Sequence, residues 1–398
     1  MNKHMTSGEP LGTLNKHLMH PLPLGLYVHI PWCARKCPYC DFNSHQAGAL
    51  LPERQYVAAL LADLAQELAL YDPLRPLQTL FIGGGTPSLF SAAAIAELLH
   101  GIAGLIPVAA DAEITLEANP GTAETGKFAG FRTAGVNRLS IGIQSFQDQH
   151  LKALGRIHSG AEAVAALSAA KAAGFANVNL DLMFGLPGQS IEDAVADVRT
   201  AIALQPAQIS YYQLTLEHGT PFARQPPLLP EDGLIWDMQQ VGQAMLEQAG
   251  YRQYEVSAYA REGRQCRHNR NYWEFGDYLG IGAGAHGKLT PADGSVVRRW
   301  KVKHPAAYLE KASAGQALAD QEIVSDLQKP LEFLMNALRL KEGFAERLFS
   351  ERTGLPVTAL QPQLDACLSD GLLQRHAGHV RCTEQGWRFL DSVLGRFC

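Results

Sequence analysis

Three closely spaced cysteines are the most chemically suggestive feature of the sequence. Cys33, Cys37 and Cys40 follow the pattern C-x-x-x-C-x-x-C near the start of the chain. Three thiolates on one short loop can bind three irons of a cubane cluster and leave the fourth iron open to an outside molecule. A cluster that only carries electrons usually has four cysteine ligands. The odd number therefore favours a cluster with an exchangeable site.

Two other chemistries remain open on the cysteines alone. Cys37 and Cys40 form a C-x-x-C pair, which near a βαβ pattern is typical of thiol redox proteins. Alternatively, His45 could complete a Cys3His zinc site, since structural zinc prefers four ligands. A glycine run, GGGTP at 83–87, directly follows the apolar residues 77–82. Glycines allow a ligand to approach the backbone closely. The cysteine loop and the glycine run each follow a predicted strand, and the two strands are successive, which favours the cluster.

Seven short stretches together resemble one protein family. They are YVHIPWC (27–33), GGGTP (83–87), EANPG (117–121), GIQSF (142–146), LGRIH (154–158), DLMFGLP (181–187) and HNRNYW (268–273). In this order they resemble the radical S-adenosylmethionine (SAM) proteins. Within that group the chain is most similar to the heme-chaperone branch of the oxygen-independent coproporphyrinogen III oxidase-like family. The resemblance runs from about residue 26 to the C-terminus.

Strand-like and helix-like patterns alternate through the first half of the chain. Strands are predicted at 26–30, 79–82, 113–116, 138–143, 178–183 and 208–214, and the clearest helices at 52–71 and 191–204. Six β-then-α units imply a parallel α/β sheet with right-handed crossovers. Periodicity does not distinguish a doubly wound sheet from a barrel, but the resemblance implies a radical SAM partial (β/α)6 barrel. In both folds ligands bind at the C-terminal strand ends.

Four regions are expected along the chain. They are a flexible N-terminal tail (1–25), the radical SAM partial barrel (26–220), a barrel extension that carries the HNxxYW segment (221–319) and a small C-terminal helical, winged-helix-like domain (320–398). Beyond the barrel, helices are predicted at 236–249, 331–340, 362–368 and 384–397, and a strand at 380–383. A winged helix can bind DNA or simply cover another domain. The net charge of −5 favours the covering role, because nucleic acid usually selects a basic face.

The composition also bears on the cellular compartment. Seven cysteines, odd in number and unevenly placed, argue against a disulfide framework and for a reducing environment. The first 25 residues lack the apolar core of a secretory signal. No run of about 18 apolar residues could form a transmembrane segment. We therefore expect a cytoplasmic protein.

The resemblance implies a 4Fe-4S cluster on the three cysteines and a set of SAM-binding residues. The SAM candidates are Tyr27, Tyr39, Gly84, Gly85, Thr86, Glu117, Gln144, Arg156 and Asp181. In this set the tyrosines flank the cluster loop, and the backbone of the GGT run holds the methionine part of SAM. The carboxylates of Glu117 and Asp181 and the amide of Gln144 bind the ammonium and ribose groups of SAM. Arg156 would clamp the SAM carboxylate. On the residues alone, Glu117, Gln144 and Asp181 could instead cap turns, and Arg156 could be a surface residue.

One departure from the oxidases points to a different function. The oxidase branch has a further cysteine two positions after the third, where this chain has Phe42. The HNxxYW stretch resembles the heme-binding motif of the chaperone branch, which makes His268, Tyr272 and Trp273 heme candidates. Imidazole is a common axial ligand of heme iron. Cys266 and Tyr272 are alternative ligands, and a structural role for His268 also remains open.

A propionate of such a heme could meet Arg267 or Arg270. The resemblance thus implies a heme chaperone that binds heme and a SAM-liganded cluster and passes heme to acceptor hemoproteins, such as membrane respiratory enzymes. Nucleic acid is not an expected partner, and a homodimer is left open. The alternatives are coproporphyrinogen III oxidation by a radical mechanism, which the sequence puts in doubt, and a radical SAM enzyme that binds no heme.

Overall fold

The computed structural model describes residues 22–70 and 75–398. The strands are β1 Leu24–Ile30, β2 Trp32–Cys33, β3 His45–Gln46, β4 Leu77–Gly84, β5 Val108–Ala118, β6 Arg138–Gln144, β7 Asn177–Phe184, β8 Gln208–Gln213, β9 Arg252–Gln253, β10 Ala258–Ala260, β11 Asp277–Ile281, β12 His286–Leu289, β13 Val296–Lys301, β14 Leu318–Val324, β15 Phe344–Ala345, β16 Leu373–His376 and β17 His379–Cys382.

The helices cover the outside of the large sheet and build most of the C-terminal region. They are α1 Glu53–Leu70, α2 Ala92–Leu105, α3 Thr122–Thr125, α4 Phe128–Ala134, α5 Asp148–Ala153, α6 Gly160–Ala172, α7 Ile191–Ala203, α8 Pro221–Arg224, α9 Asp232–Gln248, α10 Arg267–Trp273, α11 Pro305–Ser313, α12 Lys329–Ala337, α13 Glu346–Thr353, α14 Gln363–Ser369, α15 Glu384–Arg388 and α16 Leu390–Leu394. None of the helices in the described ranges is both long and apolar enough to cross a bilayer.

The six predicted strands are present as parallel neighbours in chain order. They are β1, β4, β5, β6, β7 and β8, and this arrangement confirms the (β/α)6 partial barrel. The sheet continues at both edges with strands that the sequence reading missed. Strand β11 adds to β1 in parallel, whereas β12 to β14 and β9 to β10 are antiparallel.

Each inner barrel strand alternates apolar and polar side chains. Outward residues such as Leu116, Ile141 and Leu180 join one apolar core with α1, α2, α4 and α6. Many inward positions at two-residue steps are polar, and hydrogen bonds join several of them between strands, as in the set Arg138, Ser140, Asn179, Asp181, Gln208 and Ser210. Parallel strands are usually apolar on both faces. The barrel therefore has a polar interior that can hold a polar ligand.

The expected N-terminal tail needs a correction. Its residues 1–21 lie outside the described residues, but its last residues belong to the fold. Leu22 and Leu24 are buried, and β1 begins at Leu24, two residues before the predicted start. These residues are ordered because β1 pairs on both sides, with β4 and with β11.

The C-terminal domain has its own apolar core and a three-stranded sheet in the order β15-β17-β16. This arrangement of short helices and a hairpin agrees with a winged-helix-like domain. Two details differ from the sequence reading. Strand β14 belongs to the large sheet, so the domain begins after Val324 rather than at residue 320. The predicted last helix is broken at Phe389 into α15 and α16.

The HNxxYW segment forms α10, which lies at the N-terminal end of the barrel and against the C-terminal domain. Arg339 lies over the ring of Trp273 at 4.4 Å. Phe275, directly after α10, packs edge to face on Phe333 of α12 with 5.7 Å between ring centroids. These two contacts attach the segment to the C-terminal domain.

Candidate functional site

The cluster loop leaves the C-terminal end of β1 and closes on itself. Its stem is a two-residue parallel ladder between β2 and β3, and the amide of Ala47 donates to the carbonyl of Cys33 at 2.8 Å. Within the loop the amide of Cys40 donates to the carbonyl of Cys37 at 3.2 Å. All three cysteines are free and partly buried, so this segment presents three thiols on one side of the barrel mouth.

His29 and Asn43 hold this loop against the barrel. His29 Nε2 lies 2.9 Å from the carbonyl of Asn43, and a carbonyl only accepts, so this nitrogen carries the proton. Nδ1 then accepts from the Tyr27 hydroxyl at 3.0 Å. The Asn43 amide donates to the carbonyls of Ala283 and Lys303 at 2.8 Å each. The loop is thereby attached both to β1 and to the barrel extension.

Burial acts on two of the three thiols of the cluster loop. Burial raises the pKa of the Cys33 and Cys40 thiols, and the hydroxyls of Thr86 and Ser44 partly oppose the shift at Cys33. Such thiols stay protonated until a metal displaces the proton. Phe42 is 59% exposed and does not pack around the cysteines as a core residue would.

His45, the fourth ligand in the zinc alternative, is engaged in other contacts. His45 Nε2 lies 3.3 Å from Asn43 Oδ1, and its ring packs on His304. Throughout residues 22–70 and 75–398, no three His, Cys, Asp or Glu side chains are placed to hold a single metal ion. In a cubane each thiolate binds its own iron, so the cysteines need not converge on one point.

The glycine run packs β4 against the start of the cluster loop. A Cβ on Gly85 would lie 2.5 Å from the Trp32 carbonyl oxygen, and one on Gly84 2.6 Å from the His29 ring. The amides of Gly84, Gly85 and Thr86 donate to Glu117, Ile30 and Trp32. The predicted backbone contact to a ligand would therefore use carbonyl oxygens, which are the acceptors that an ammonium group needs.

Two carboxylates, from β5 and β7 on either side of β6, face the barrel interior. Glu117 Oε2 accepts from the Gly84 amide at 3.0 Å. Asp181 accepts from Asn179 at 2.8 Å and from Ser140 at 3.3 Å. Burial, and secondly the charge of Asp181, raise the pKa of Glu117 to about 8. Neither residue caps a helix, so the capping alternative does not describe them.

Arg156 is not a surface residue, as one alternative held, but a link between three parts of the site. Its guanidinium donates to Asn119 Oδ1 at 2.5 Å and to the Gly142 carbonyl at 2.8 Å, and lies 3.7 Å from Cys37 Sγ. Asn119 in turn donates to Thr86 Oγ1 at 3.0 Å. The sequence reading missed Asn119, although it lies in one of the quoted motifs.

Gln144 shows the clearest sign of a ligand contact. It adopts a left-handed backbone with φ of 65°, which is strained for a residue other than glycine and often marks functional positions. Its amide nitrogen donates to the Tyr212 hydroxyl at 3.1 Å. Gln144 Oε1 and Arg156 Nε are buried and have no partner within the protein. An acceptor and a donor of this kind match a ribose hydroxyl and a carboxylate.

The two tyrosine candidates also lie at this end of the barrel. Tyr27 stacks on Phe81 with 6.3 Å between ring centroids. Tyr39, within the cluster loop, packs on Phe222 at 6.4 Å, and burial raises its pKa well above the ordinary value. The residues present thus fit a cluster and a zwitterionic nucleoside ligand side by side.

The heme candidates lie at the opposite end of the barrel. His268 is 1% exposed; its Nδ1 lies 2.8 Å from Thr79 Oγ1 and its Nε2 2.8 Å from the Tyr272 hydroxyl. Thr79 and Gly84 are separated by about 17 Å along β4 at 3.3 Å per residue. Both imidazole nitrogens are therefore occupied, and a heme iron reaches His268 only if one of these hydrogen bonds breaks.

Burial shifts the pKa of each of the three iron-ligand candidates in the direction of its uncharged form. Burial lowers the pKa of His268 to about 3, so its ring is neutral, as an iron ligand must be. Burial raises the pKa of Cys266 to about 12 and that of Tyr272 well above its usual range. These two groups remain thiol and phenol at neutral pH.

The fold and the cluster loop together define a radical SAM protein. The family model of the Radical SAM superfamily matches residues 27–201, and that of the HemN C-terminal domain matches residues 324–389. The coproporphyrinogen III oxidase (HemN) from Escherichia coli, described as a radical SAM enzyme, has a solved structure that superimposes with a TM-score of 0.80. The match covers 96% of this chain and 91% of that chain at 24% identity, which shows a shared fold.

Curated relatives place the chain more narrowly. It is 50% identical to "Heme chaperone HemW" of Escherichia coli (strain K12), over 94% of this chain and 98% of the relative. The protein of the same name from Haemophilus influenzae is 49% identical over the same shares. The chain therefore belongs to the HemW family within the radical SAM proteins, and the family expected from the motifs is confirmed. Radical SAM membership implies a 4Fe-4S cluster and SAM.

Proposed function

We propose that this protein is a heme chaperone that binds heme and a SAM-liganded 4Fe-4S cluster and transfers the heme to acceptor hemoproteins. The observation that carries the proposal is the 50% identity, over nearly the whole length, to relatives named heme chaperones. Phe42, exposed where the oxidase branch has a fourth cysteine, supports the same choice. Oxidation of coproporphyrinogen is not part of the proposal.

Cys33, Cys37 and Cys40 would bind three irons, and SAM would bind the fourth. When bound, the cluster can supply an electron that cleaves the sulfonium of SAM. The carbonyls of the GGT run and Glu117 would accept from the ammonium, Arg156 would donate to the carboxylate, and Gln144 and Asp181 would bind the ribose. Tyr27 and Tyr39 would shield the loop from water.

His268 would be the axial ligand, with Tyr272 and Trp273 covering one porphyrin face. We assign the protein to the cytoplasm. Its heme acceptors would include membrane respiratory enzymes, and the chain could form a homodimer. The heme candidate His268 contacts Thr79 near the start of β4, whereas the SAM candidates of the GGT run lie at the end of β4 and just beyond it. Delivery of heme therefore does not require contact between the porphyrin and the cluster.

Hemin titration of the anaerobically reconstituted full-length chain tests this function. We expect a saturable Soret shift in the wild type, a different or absent shift in His268→Ala, and an unchanged shift in His100→Ala, which alters an exposed histidine on α2. Wild-type protein without a Soret shift would refute the chaperone proposal. Formation of vinyl product from coproporphyrinogen III by the reduced, SAM-loaded protein would instead favour the oxidase.

SAM affinity is expected to rise with pH through the titration of Glu117. With a pKa of about 8, this carboxyl is mostly protonated at pH 6.5, whereas a cationic ligand group needs the carboxylate. Binding should therefore release a proton and strengthen by at most about tenfold per pH unit below 8. Calorimetry between pH 6 and 9 in two buffers of different ionisation enthalpy measures this. Glu117→Gln is the control, and an identical pH profile in that variant would show that another group titrates.

A further inference from the structure

Arg156 carries a positive charge beside the cluster loop that no carboxylate balances. Its Nη1 lies 3.7 Å from Cys37 Sγ, and its Nη2 donates to two uncharged oxygens, Asn119 Oδ1 and the Gly142 carbonyl. Within the described part of the chain, no aspartate or glutamate forms an ion pair with this side chain. A partly buried cation needs a counter-charge, and the deprotonated Cys37 of a loaded cluster would supply one.

The three nitrogens of this guanidinium have different partners. Nη1 faces the Cys37 sulfur and Nη2 is held by Asn119 and Gly142, whereas Nε is buried without a partner in the protein. A guanidinium has five N–H donors in a fixed plane. The unpartnered Nε therefore remains for the SAM carboxylate of the proposed function, and a bond to the sulfur does not compete with that contact.

The other two cluster cysteines have uncharged hydrogen-bonding neighbours. Ser44 Oγ lies 4.0 Å from Cys40 Sγ, and hydroxyl groups also lie beside Cys33. The ammonium of Lys36 acts on Cys40 through space, but it donates to two backbone carbonyls, at 3.2 and 3.0 Å. Among the residues that the structure describes, Arg156 thus provides the charged hydrogen bond to a cluster sulfur.

Asn119 fixes the direction of this guanidinium. Its backbone amide donates to Glu124 Oε2 at 2.9 Å, and its side-chain amide donates to Thr86 Oγ1 at 3.0 Å. Glu124 is itself held by the Ser88 hydroxyl at 2.7 Å. With both amide groups committed, Asn119 Oδ1 is turned toward Arg156, so Asn119 is a positioning residue that would act on the cluster through Arg156.

We propose that Arg156 raises the reduction potential of the cluster by donating a hydrogen bond to the Cys37 thiolate, and that Asn119 positions it to do so. One-electron reduction adds negative charge to the cluster, so a cation bonded to a ligand sulfur stabilises the reduced state. The inference rests on the cluster ligands of the proposed function. It gives the residue that would clamp the SAM carboxylate a second role.

Redox titration of the anaerobically reconstituted full-length protein tests this role. Dithionite is the reductant, electron paramagnetic resonance of the reduced cluster gives the midpoint, and SAM is omitted so that its carboxylate does not contribute. In Arg156→Gln the equilibrium constant for reduction should fall about tenfold, which is 59 mV for one electron. Asn119→Ala should lower it about threefold, and the double variant should match Arg156→Gln, because Asn119 acts through Arg156.

Arg35→Gln is the matched control, since it removes an exposed cation from the same loop. Solvent and salt screen that charge, so the equilibrium constant should change by less than about twofold. Iron and sulfide analysis confirms that each variant holds a full cluster, and Asn119→Ala decides the matter if Arg156→Gln assembles none.

Two results would overturn the inference and leave the three cysteine ligands in place. One is an unchanged midpoint in a cluster-loaded Arg156→Gln, or in Asn119→Ala where Arg156→Gln assembles no cluster. The other is a shift in Arg35→Gln as large as that in Arg156→Gln. Wild-type protein that takes up no iron and sulfide would instead refute the cluster ligands, and the inference with them.

Discussion

Replacing Cys37 by alanine will remove the iron–sulfur cluster while the chain stays folded. A loop with two thiolates can bind only two irons of a cubane, so iron and sulfide after anaerobic reconstitution should fall from about four per chain to a small fraction. Cys37 is chosen because it lies beside Arg156 and at the turn to Cys40. Iron and sulfide analysis together with the visible spectrum measures the loss.

The control for this prediction replaces another free cysteine. Cys398 is an exposed free cysteine at the C-terminus, and Cys398→Ala should reconstitute like the wild type. Retention of a full cluster by Cys37→Ala would exclude the proposed ligand set. Hemin affinity should be unchanged in Cys37→Ala, because His268 lies at the other end of β4 from the cluster loop.

The elements that hold the site could be predicted because their patterns are local. The strand at 79–82 and the helix at 52–71 appeared close to their predicted positions, as β4 and α1. An apolar run or a helical periodicity indicates which side chains are buried against the next layer of the fold. This information lies within a short stretch of sequence.

The sequence also contains a pattern that indicates the polar interior of the barrel. The alternative that Glu117 and Asp181 cap turns considers each residue singly, whereas each is the last of a row of polar residues at two-residue steps, such as Glu113, Thr115 and Glu117. That alternation is the period of a strand with one polar face. In a parallel strand, this alternation is the sequence signal that could have identified the residues that line the barrel interior.

The placement of α10 could not be predicted from local pattern. The segment joins the barrel because Cys266 Sγ and the His268 amide both donate to Glu113 Oε1, more than 150 residues away in sequence. Strand β11, which follows α10, is too short to show a clear period. Contacts between residues so far apart in sequence are set by the tertiary fold. The motif at 268–273 therefore predicted heme candidates but not the end of the barrel at which they lie.

The polar network behind the cluster loop explains how the extension supports the barrel mouth. Lys301 of β13 is 2% exposed and lies 2.5 Å from both Asp63 and Glu67 of α1. Asp63 also accepts from the Tyr308 hydroxyl at 2.7 Å. About two helix turns from Asp63, Tyr56 donates to the His29 carbonyl at 2.8 Å. The network thus fixes α1, and α1 fixes the strand from which the cluster loop begins.

Lys301→Met should therefore destabilise the protein severely at neutral pH. The substitution leaves two buried carboxylates without their shared cation, which costs about 3–5 kcal/mol in comparable buried pairs. Burial already raises the pKa of Asp63, and Lys301 opposes that shift; without Lys301 the pKa rises further. A carboxyl with a raised folded pKa takes up a proton on folding, so the deficit should shrink as pH falls through that pKa.

Urea denaturation followed by circular dichroism at pH 5.5 and 7.5 measures both effects. Lys341→Met, which breaks an exposed pair with Glu384, is the control and should cost about 0.5 kcal/mol. The double variant Asp63→Asn and Lys301→Met should recover part of the loss, because it removes the charge of Asp63 while Glu67 keeps its ion pair with Arg299 at 3.3 Å. A Lys301→Met protein as stable as the wild type at pH 7.5 would show that the carboxylates are protonated in the native state and that the network carries no net charge interaction.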